Sequence, residues 1–442
     1  MDMPPAQYAN NDGVHIAYRT CGDGEDVVVT SGATVTMELI WPLVEDVAEG
    51  ARVTWYDKRG TGASDGVANF SFEERMDDIR AVMDAAGIEA AHLTGASEGG
   101  PQTLLFAATY PQRVRSITIY GSYPSRRKRP DYPYGWEGSL SEYAAFVDRI
   151  MAASTGDPDA RAWFWDMWSP SLAATPGFLD SAPSNAPSTS PAAARLIWEA
   201  MYDVDVRSIL PSIHCPTTIV HRTGDRVAPI EGGRYLAEHV AGAKLIEVPG
   251  DDHFPSPVAP VPEWPQAILE NIATGVTPPL EQDRRLATVL FTDIVDSTAT
   301  AAELGDRRWT ELLDRHDQLT RQIVAAHEGT AVKSTGDGLL ATFDGPSRAV
   351  RCAGAIQTET EALGVPVRAG LHAGEIELRG ADVAGIAVHI AARVAGLGGA
   401  GETVVSRTVR DLVGGSGFDF EDLGDQTLKG VESPWQCYRL RS

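Results

Sequence analysis

The sequence predicts two domains: an α/β unit with a mostly parallel sheet and a helical cap, then a smaller α+β unit. Three observations carry this. A chain of 442 residues is too long for one ordinary core. Strand-like and helix-like segments alternate through residues 1–120 and resume after about 207, which implies a parallel sheet covered on both faces. Beyond about 285 the helical segments are grouped around an apolar hairpin, the pattern of an antiparallel-rich sheet. The first domain is expected over 1–275 with its cap at about 122–207, a linker over 276–284, and the second domain over 285–442.

In the first domain Val14–Arg19 and Asp26–Thr30 read as short strands, the latter nearly all apolar as a buried strand should be. Val53–Tyr56 is a further strand, and Phe72–Ala86 carries Met76, Ile79, Val82 and Met83 at helical spacing. Ala91–Thr94 (strand), Thr103–Tyr110 (helix) and Ser116–Tyr120 (strand) continue the alternation. Gly95-Ala96-Ser97-Glu98-Gly99 falls between a strand and a helix. That is the setting of a nucleophile elbow, in which glycines allow a sharp turn and lift the serine out at the strand's end. The rest of a triad should then follow in the order acid, histidine. Asp225 follows the strand Thr217–His221, and His253 follows the strand Lys244–Val248. Asp225 would hold the His253 tautomer while His253 takes the Ser97 proton. The plainer alternative is a capping Asp225 and a surface His253; three strand ends in the required order favour the triad.

Over about residues 8–275 these features resemble the α/β-hydrolase family, whose habits YDKRGTGASD at 56–65 and GDRVAP at 224–229 also match. The resemblance implies an oxyanion hole of two backbone N–H groups, here those of Ala33 and Glu98. The loop SGAT around Ala33 departs from the commoner His-Gly form. A serine at the elbow implies ester-type acyl transfer. Residues 122–207 are where that family inserts a cap, and Ser139–Met151 and Ala192–Tyr202 look helical there, with a Pro/Ser/Ala-rich stretch at Ser181–Ala193 between them. Trp163, Phe164, Trp165 and Trp168 either pin the cap to the core or line an apolar acyl pocket. Arg126-Arg-Lys-Arg129 reads as a solvated basic loop, too short for nucleic-acid binding.

In the second domain, Leu286–Ile294 reads as a buried strand ending at Asp293, with a helix opening at Asp296-Ser297-Thr298. Trp309, Leu312, Leu313, His316, Leu319, Ile323 and Val324 share one helix face, on which His316 is expected in a core or an interface. Thr330–Val332 and Leu339–Phe343 flank Gly336-Asp337-Gly338, a hairpin with Asp337 at its tip. A helix around Ser347–Leu363, a strand from Val365 to Leu378, a helix at Val388–Val394 and a strand at Glu402–Val405 follow. A strand-end Asp beside a hairpin-tip Asp, 44 residues apart in sequence, suits hard divalent ions that take carboxylates plus substrate phosphates. The N–H groups of Asp296, Ser297 and Thr298 open a helix and can bind phosphate oxygens.

FTDIVDST, VKSTGDGLLATF, VRAGLHAGEIE and GIAVHIAARVA, in that order, resemble the catalytic domain of class III nucleotidyl cyclases over about Arg285–Leu440. The whole chain resembles bacterial proteins that fuse a hydrolase domain to such a cyclase. The cyclase resemblance implies two Mg²⁺ or Mn²⁺ ions held by Asp293, Asp337 and the Ile294 carbonyl. It implies attack of a ribose 3′-oxygen on the α-phosphorus of a nucleoside triphosphate. It assigns purine reading to Lys333 and Asp382, a pair suited to adenine, and so ATP as substrate. It assigns transition-state stabilisation to Arg393 and triphosphate binding to Lys429. Where the family has Asn four residues before that Arg, this chain has His389, which can donate a hydrogen bond but can also ionise. Because the family's metal ligands and purine readers come from opposite subunits, the resemblance implies a homodimer with two shared sites.

Composition bounds the rest. A net charge of −24 argues against non-specific nucleic-acid or anionic-membrane binding. Cys21, Cys215, Cys352 and Cys437 are scattered, as reduced thiols in a cytoplasmic protein are, and no signal segment or spanning apolar run is visible. The leading expectation is an adenylyl cyclase with a regulatory or independently active hydrolase domain. The alternatives are a carboxylic-ester hydrolase with a weak cyclase, and a pocket domain sensing a small ester or lipid-like ligand.

Overall fold

The structure is a computed structural model that describes residues 2–67, 71–181, 189–274, 283–431 and 434–441. It divides into two compact units, Met1–Leu280 and Glu281–Ser442. Most of the expected linker, and part of the Ser181–Ala193 stretch, lie outside the described residues.

The first unit is built on one eight-stranded sheet. Its strands are β1 (Gln7–Asn11), β2 (Val14–Cys21), β3 (Asp26–Thr30), β4 (Arg52–Tyr56), β5 (Ala91–Ala96), β6 (Val114–Tyr120), β7 (Thr217–Arg222) and β8 (Lys244–Val248). The spatial order is β1-β2-β4-β3-β5-β6-β7-β8, antiparallel at the first two pairings and parallel through the rest. The expected strands are all present, and β1 is added at an edge by a hairpin turning at Asp12-Gly13, where both residues have positive φ. β1, QYANN, is polar and alternates exposed with buried positions, so its apolar content signals no strand. The helix Phe72–Ala85 starts at a capping box in which Ser71 and Glu74 satisfy each other's backbone N–H groups. β3, β4, β5 and β7 are buried almost throughout, as helix-covered parallel strands must be.

Between β6 and β7 the chain leaves the sheet for the cap. Its helices are Leu140–Ser154, Pro158–Trp168, Pro170–Ala173, Phe178–Ser181 and Pro191–Ala200. Proline at the first helical position starts three of these five, where its missing N–H costs nothing. Phe164, Trp168, Trp198 and Tyr143 form one aromatic core for the cap, with Phe164 and Trp168 stacked at 4.2 Å.

The second unit holds a sheet of order β10-β11-β9-β12-β14-β16-β15, with β13 paired to β12. The strands are β9 (Arg284–Ile294), β10 (Thr330–Ser334), β11 (Gly338–Phe343), β12 (Val367–Arg379), β13 (Asp382–Ala384), β14 (Thr403–Ser406), β15 (Phe420–Gln426) and β16 (Trp435–Leu440). Only β12 and β14 run parallel, so the antiparallel-rich α+β expectation holds. The hairpin β15–β16 was not legible: FEDLGDQ is polar, and its residues are mostly half-buried. On the helix Asp306–Ala326 only His316, Thr320 and Val324 are fully buried, and the remaining apolar residues of that face are half-buried or exposed.

Candidate active sites

The elbow residues explain themselves by contact. A Cβ on Gly95 would lie 2.5 Å from Thr103 Oγ1, and one on Gly99 would lie 2.3 Å from the Thr30 carbonyl oxygen. Only glycine lets the helix Gly99–Thr109 come this close to β3 and β5. Ser97 between them takes φ of +51°, a left-handed conformation that serine rarely adopts and that costs of order 1–3 kcal/mol. The surrounding bonds fix it: Ser97 N–H donates to Tyr120 O at 2.9 Å, and Ser122 Oγ donates to Ser97 O at 2.6 Å.

The three expected residues meet. His253 Nε2 lies 3.0 Å from Ser97 Oγ, and His253 Nδ1 lies 2.7 Å from Asp225 Oδ2. His253 and Asp225 are buried. Asp225 Oδ1 accepts from the Val227 and Ala228 N–H groups at 2.8 and 2.9 Å. Burial alone would raise the Asp225 pKa, but His253 and these donors hold it below the usual carboxylate value. The cap joins the site as well: the Trp168 carbonyl accepts from His253 and Phe254 N–H at 2.8 and 3.1 Å.

Ala33 is buried beside Ser97, and Glu98 caps the helix that follows it. Among the described residues, neither the Ala33 nor the Glu98 N–H has an acceptor, so both are available to a developing oxyanion. Sequence reasoning missed what aims them. Lys58 Nζ, fully buried, donates to Ser31 O at 2.8 Å, to Gly32 O at 2.5 Å and to Glu98 Oε2 at 2.8 Å. With the Gly32 carbonyl drawn to Lys58, the trans peptide turns the Ala33 N–H the opposite way. Arg75 Nη1 holds the other Glu98 oxygen at 2.5 Å. A lysine in YDKRGTG is an ordinary surface residue until its burial is known.

A cavity of about 250 Å³ opens at Ser97 and His253, walled by Phe164, Trp165, Trp168 and Leu172 from the cap. The aromatic cluster therefore does both things considered for it, packing the cap and lining the cavity; Trp163 takes only the first role, against Phe146 and Trp168. The basic run is corrected. Arg126 is buried, while Arg127, Lys128 and Arg129 pair with Asp203, Glu137 and Asp205. The carboxylates that absorb it lie elsewhere in the sequence, so local composition could not show it.

In the second unit Asp293, the last residue but one of β9, lies directly opposite Gly338, and Ile294 N–H donates to Asp337 O at 3.0 Å. The two carboxylates thus belong to neighbouring positions of one ladder. Asp337 accepts from the Ser297 hydroxyl. Asp293 is held by Arg368, whose Nε is at 2.9 Å. Arg368 lies opposite Asp293 on β12, a register that no local motif reveals. Asp296 caps the helix Ser297–Leu304 with a left-handed φ of +55°, and Thr298 is exposed in its first turn. Among the described residues no group of three or more His, Cys, Asp or Glu could hold a metal. The two carboxylates fit hard cations whose remaining ligands are backbone and substrate oxygens.

Lys333 Nζ lies 2.8 and 2.6 Å from the two Asp382 oxygens, on an exposed surface. Its hydrogen bond, with that of Val383 N–H, lowers the Asp382 pKa. His389 and Arg393 are exposed one turn apart on the helix Ile386–Ala395, and Arg393 Nε donates to the Lys429 carbonyl at 3.2 Å. Among the described residues no hydrogen bond or ion pair joins Asp293 or Asp337 to Lys333, Asp382, His389, Arg393 or Lys429. His316 is buried, as a core histidine.

A nucleophile–histidine–acid relay on a capped parallel sheet defines a serine hydrolase arrangement, and the second sheet is of another class. The chain belongs to the alpha/beta hydrolase fold family, matched over residues 27–260, and its residues 281–442 match the adenylate and guanylate cyclase catalytic domain. The hydrolase part is 27% identical over 260 residues to "Putative carbamate hydrolase RutD" of Azorhizobium caulinodans, covering 57% of this chain and 93% of that protein. The cyclase part is 31% identical over 160 residues to "Putative adenylate cyclase 3" of Rhizobium meliloti, covering 34% of this chain and 27% of that protein. An esterase from Exiguobacterium antarcticum shares the hydrolase fold with a TM-score of 0.52 and 22% identity, covering 61% of this chain and 99% of its own. No helix among the described residues is long and apolar enough to cross a membrane.

Proposed function

We propose that the chain carries two activities: an adenylyl cyclase that converts ATP to 3′,5′-cyclic AMP and pyrophosphate, and a serine ester hydrolase. The hydrolase reading rests on one observation, the unbroken relay Ser97–His253–Asp225 with separations of 3.0 and 2.7 Å. His253 Nε2 takes the Ser97 proton as Ser97 Oγ attacks the ester carbonyl and gives it to the departing alcohol oxygen, leaving an acyl-enzyme. Water then loses a proton to the same nitrogen as it attacks the acyl carbon, and that proton returns to Ser97 Oγ as the acid leaves. Ala33 and Glu98 N–H groups receive the oxyanion, and the apolar cavity holds the acyl chain. This relay favours an active hydrolase over a pocket that only senses.

In the cyclase unit Lys333 donates to adenine N1 and Asp382 accepts from the 6-amino group, a reading their mutual contact supports. Arg393, with Lys429 beside it, meets the phosphates, as do the N–H groups at Asp296, Ser297 and Thr298, and His389 orients the ribose. Asp293, Asp337 and the Ile294 carbonyl would hold two Mg²⁺ or Mn²⁺ ions, which when bound lower the pKa of the attacking 3′-hydroxyl and neutralise the triphosphate. We assign completion of each site to a second copy of the chain, as the resemblance to class III cyclases implies. The exposed Ile386, at 61%, and the half-buried apolar face of the helix Asp306–Ala326 support such an interface. Four unpaired cysteines support a cytoplasmic location.

Two assays test the pair. Cyclic AMP formation from ATP with Mn²⁺ should vanish in Asp293→Ala. Hydrolysis of p-nitrophenyl butyrate should fall on the order of a millionfold in Ser97→Ala. Wild-type protein inactive on a series of short esters would sink the hydrolase half and leave the cyclase half standing.

A further inference from the structure

The first unit contains a second cavity, of about 360 Å³, that touches none of Ser97, Asp225 or His253. It lies where the cap meets the sheet, and Trp168 lines both cavities. Its floor is Arg126, only 8% exposed. Arg126 Nη1 donates to the Val227 carbonyl at 2.9 Å, and its guanidinium sits 5.4 Å from the Tyr123 ring. Among the described residues no carboxylate pairs with it, whereas Arg127, Lys128 and Arg129 each have one. The nearby Asp225 charge is already matched by His253 and two backbone N–H groups.

Burying a guanidinium without a counter-ion is costly, and buried donors are almost always satisfied. Three residues that line the cavity each carry a buried side-chain donor with no hydrogen-bond partner: Arg126 at Nε, Tyr123, itself 4% exposed, at its hydroxyl, and Trp136 at Nε1. A cation with two neutral donors matches an anion with several acceptor lone pairs. The remaining wall is aromatic, including Tyr132, Phe146 and Trp168, which suits a flat apolar body. The volume is that of a small-molecule site.

We propose that this cavity binds a small aromatic carboxylate, with Arg126 as its counter-ion and Tyr123 and Trp136 as further donors, at a site separate from the Ser97 pocket. Arg126 also holds the Val227 carbonyl, and the Val227 N–H holds Asp225.

Benzoate titrated into the full chain by calorimetry tests this. Saturable binding is expected, and benzamide, of the same shape without the charge, should bind at least about tenfold more weakly. Arg126→Met should lose the benzoate preference. Tyr123→Phe should weaken benzoate binding and serves if Arg126→Met does not fold. Leu172→Trp, which fills only the Ser97 cavity, should bind benzoate as the wild type does. The proposal is overturned by absence of saturable binding up to about 10 mM, the weak end of specific recognition. It is equally overturned by equal affinity for benzamide, by retained preference in Arg126→Met, or by loss of binding in Leu172→Trp. None of these readouts needs hydrolytic activity, so an inactive triad and an empty second site give different results.

Discussion

Lys58 shows how one residue, remote from the nucleophile in sequence, can set the rate. An ammonium has three N–H donors, and Lys58 meets three acceptors: two carbonyls of the loop before Ala33 and the Glu98 carboxylate. It thereby holds both proposed oxyanion donors at once. Lys58→Met keeps the length of the side chain and removes all three bonds. We expect ester kcat to fall about a hundredfold, the effect of losing one oxyanion donor, with KM little changed because the acyl cavity is untouched. A rise in KM with kcat preserved would place Lys58 in substrate binding instead. Glu98 keeps Arg75 as a partner in that variant, so the fold should survive with a lower melting temperature.

At the scale of elements, β12 carries a histidine where a strand interior usually carries an aliphatic residue. His372 is buried, its Nδ1 is 2.8 Å from Ser406 Oγ on β14, and its ring meets Trp435 edge-on. Burial pulls its pKa from 6.5 down to about 3. Between those values the unfolded chain binds a proton that the folded chain refuses. Stability from this site is therefore complete above pH 6.5 and declines as pH falls towards 3, at up to about 1.4 kcal/mol per pH unit. His372→Gln should cost stability at pH 7 but lose less between pH 7 and pH 4.5 than the wild type does, by urea unfolding of the full chain. An equal loss in both proteins would show that His372 does not titrate as argued. The same elements mark what the sequence alone could tell. β12, β9 and the triad strands announce themselves by apolar runs, and Ser97, Asp225 and His253 by their position at strand ends. β1 and β15 do not, because edge strands are held by ladder bonds that polar residues make equally well. Arg368 opposite Asp293, Lys58 under the oxyanion loop and Arg126 in its cavity are contacts between distant segments, and only the folded register reveals them.

At the scale of the whole molecule, the proposed cyclase site divides its labour between two copies of the chain. Asp293 and Asp337 of one copy would face Lys333, Asp382 and Arg393 of the other, giving two equivalent sites per dimer. Asp293→Ala and Lys333→Ala should each be inactive alone, since every site in either homodimer lacks one function. Mixed in equal amounts and allowed to exchange, half the dimers become mixed, and each mixed dimer has one site with both lesions and one with neither. Cyclase activity should recover to about a quarter of the wild-type value, as two-fold symmetry requires. Dilution of the wild type should lower specific activity for the same reason, because a lone chain has no complete site. Recovery absent under conditions where exchange is verified, or activity independent of concentration down to the nanomolar range, would mean that one chain closes its own site.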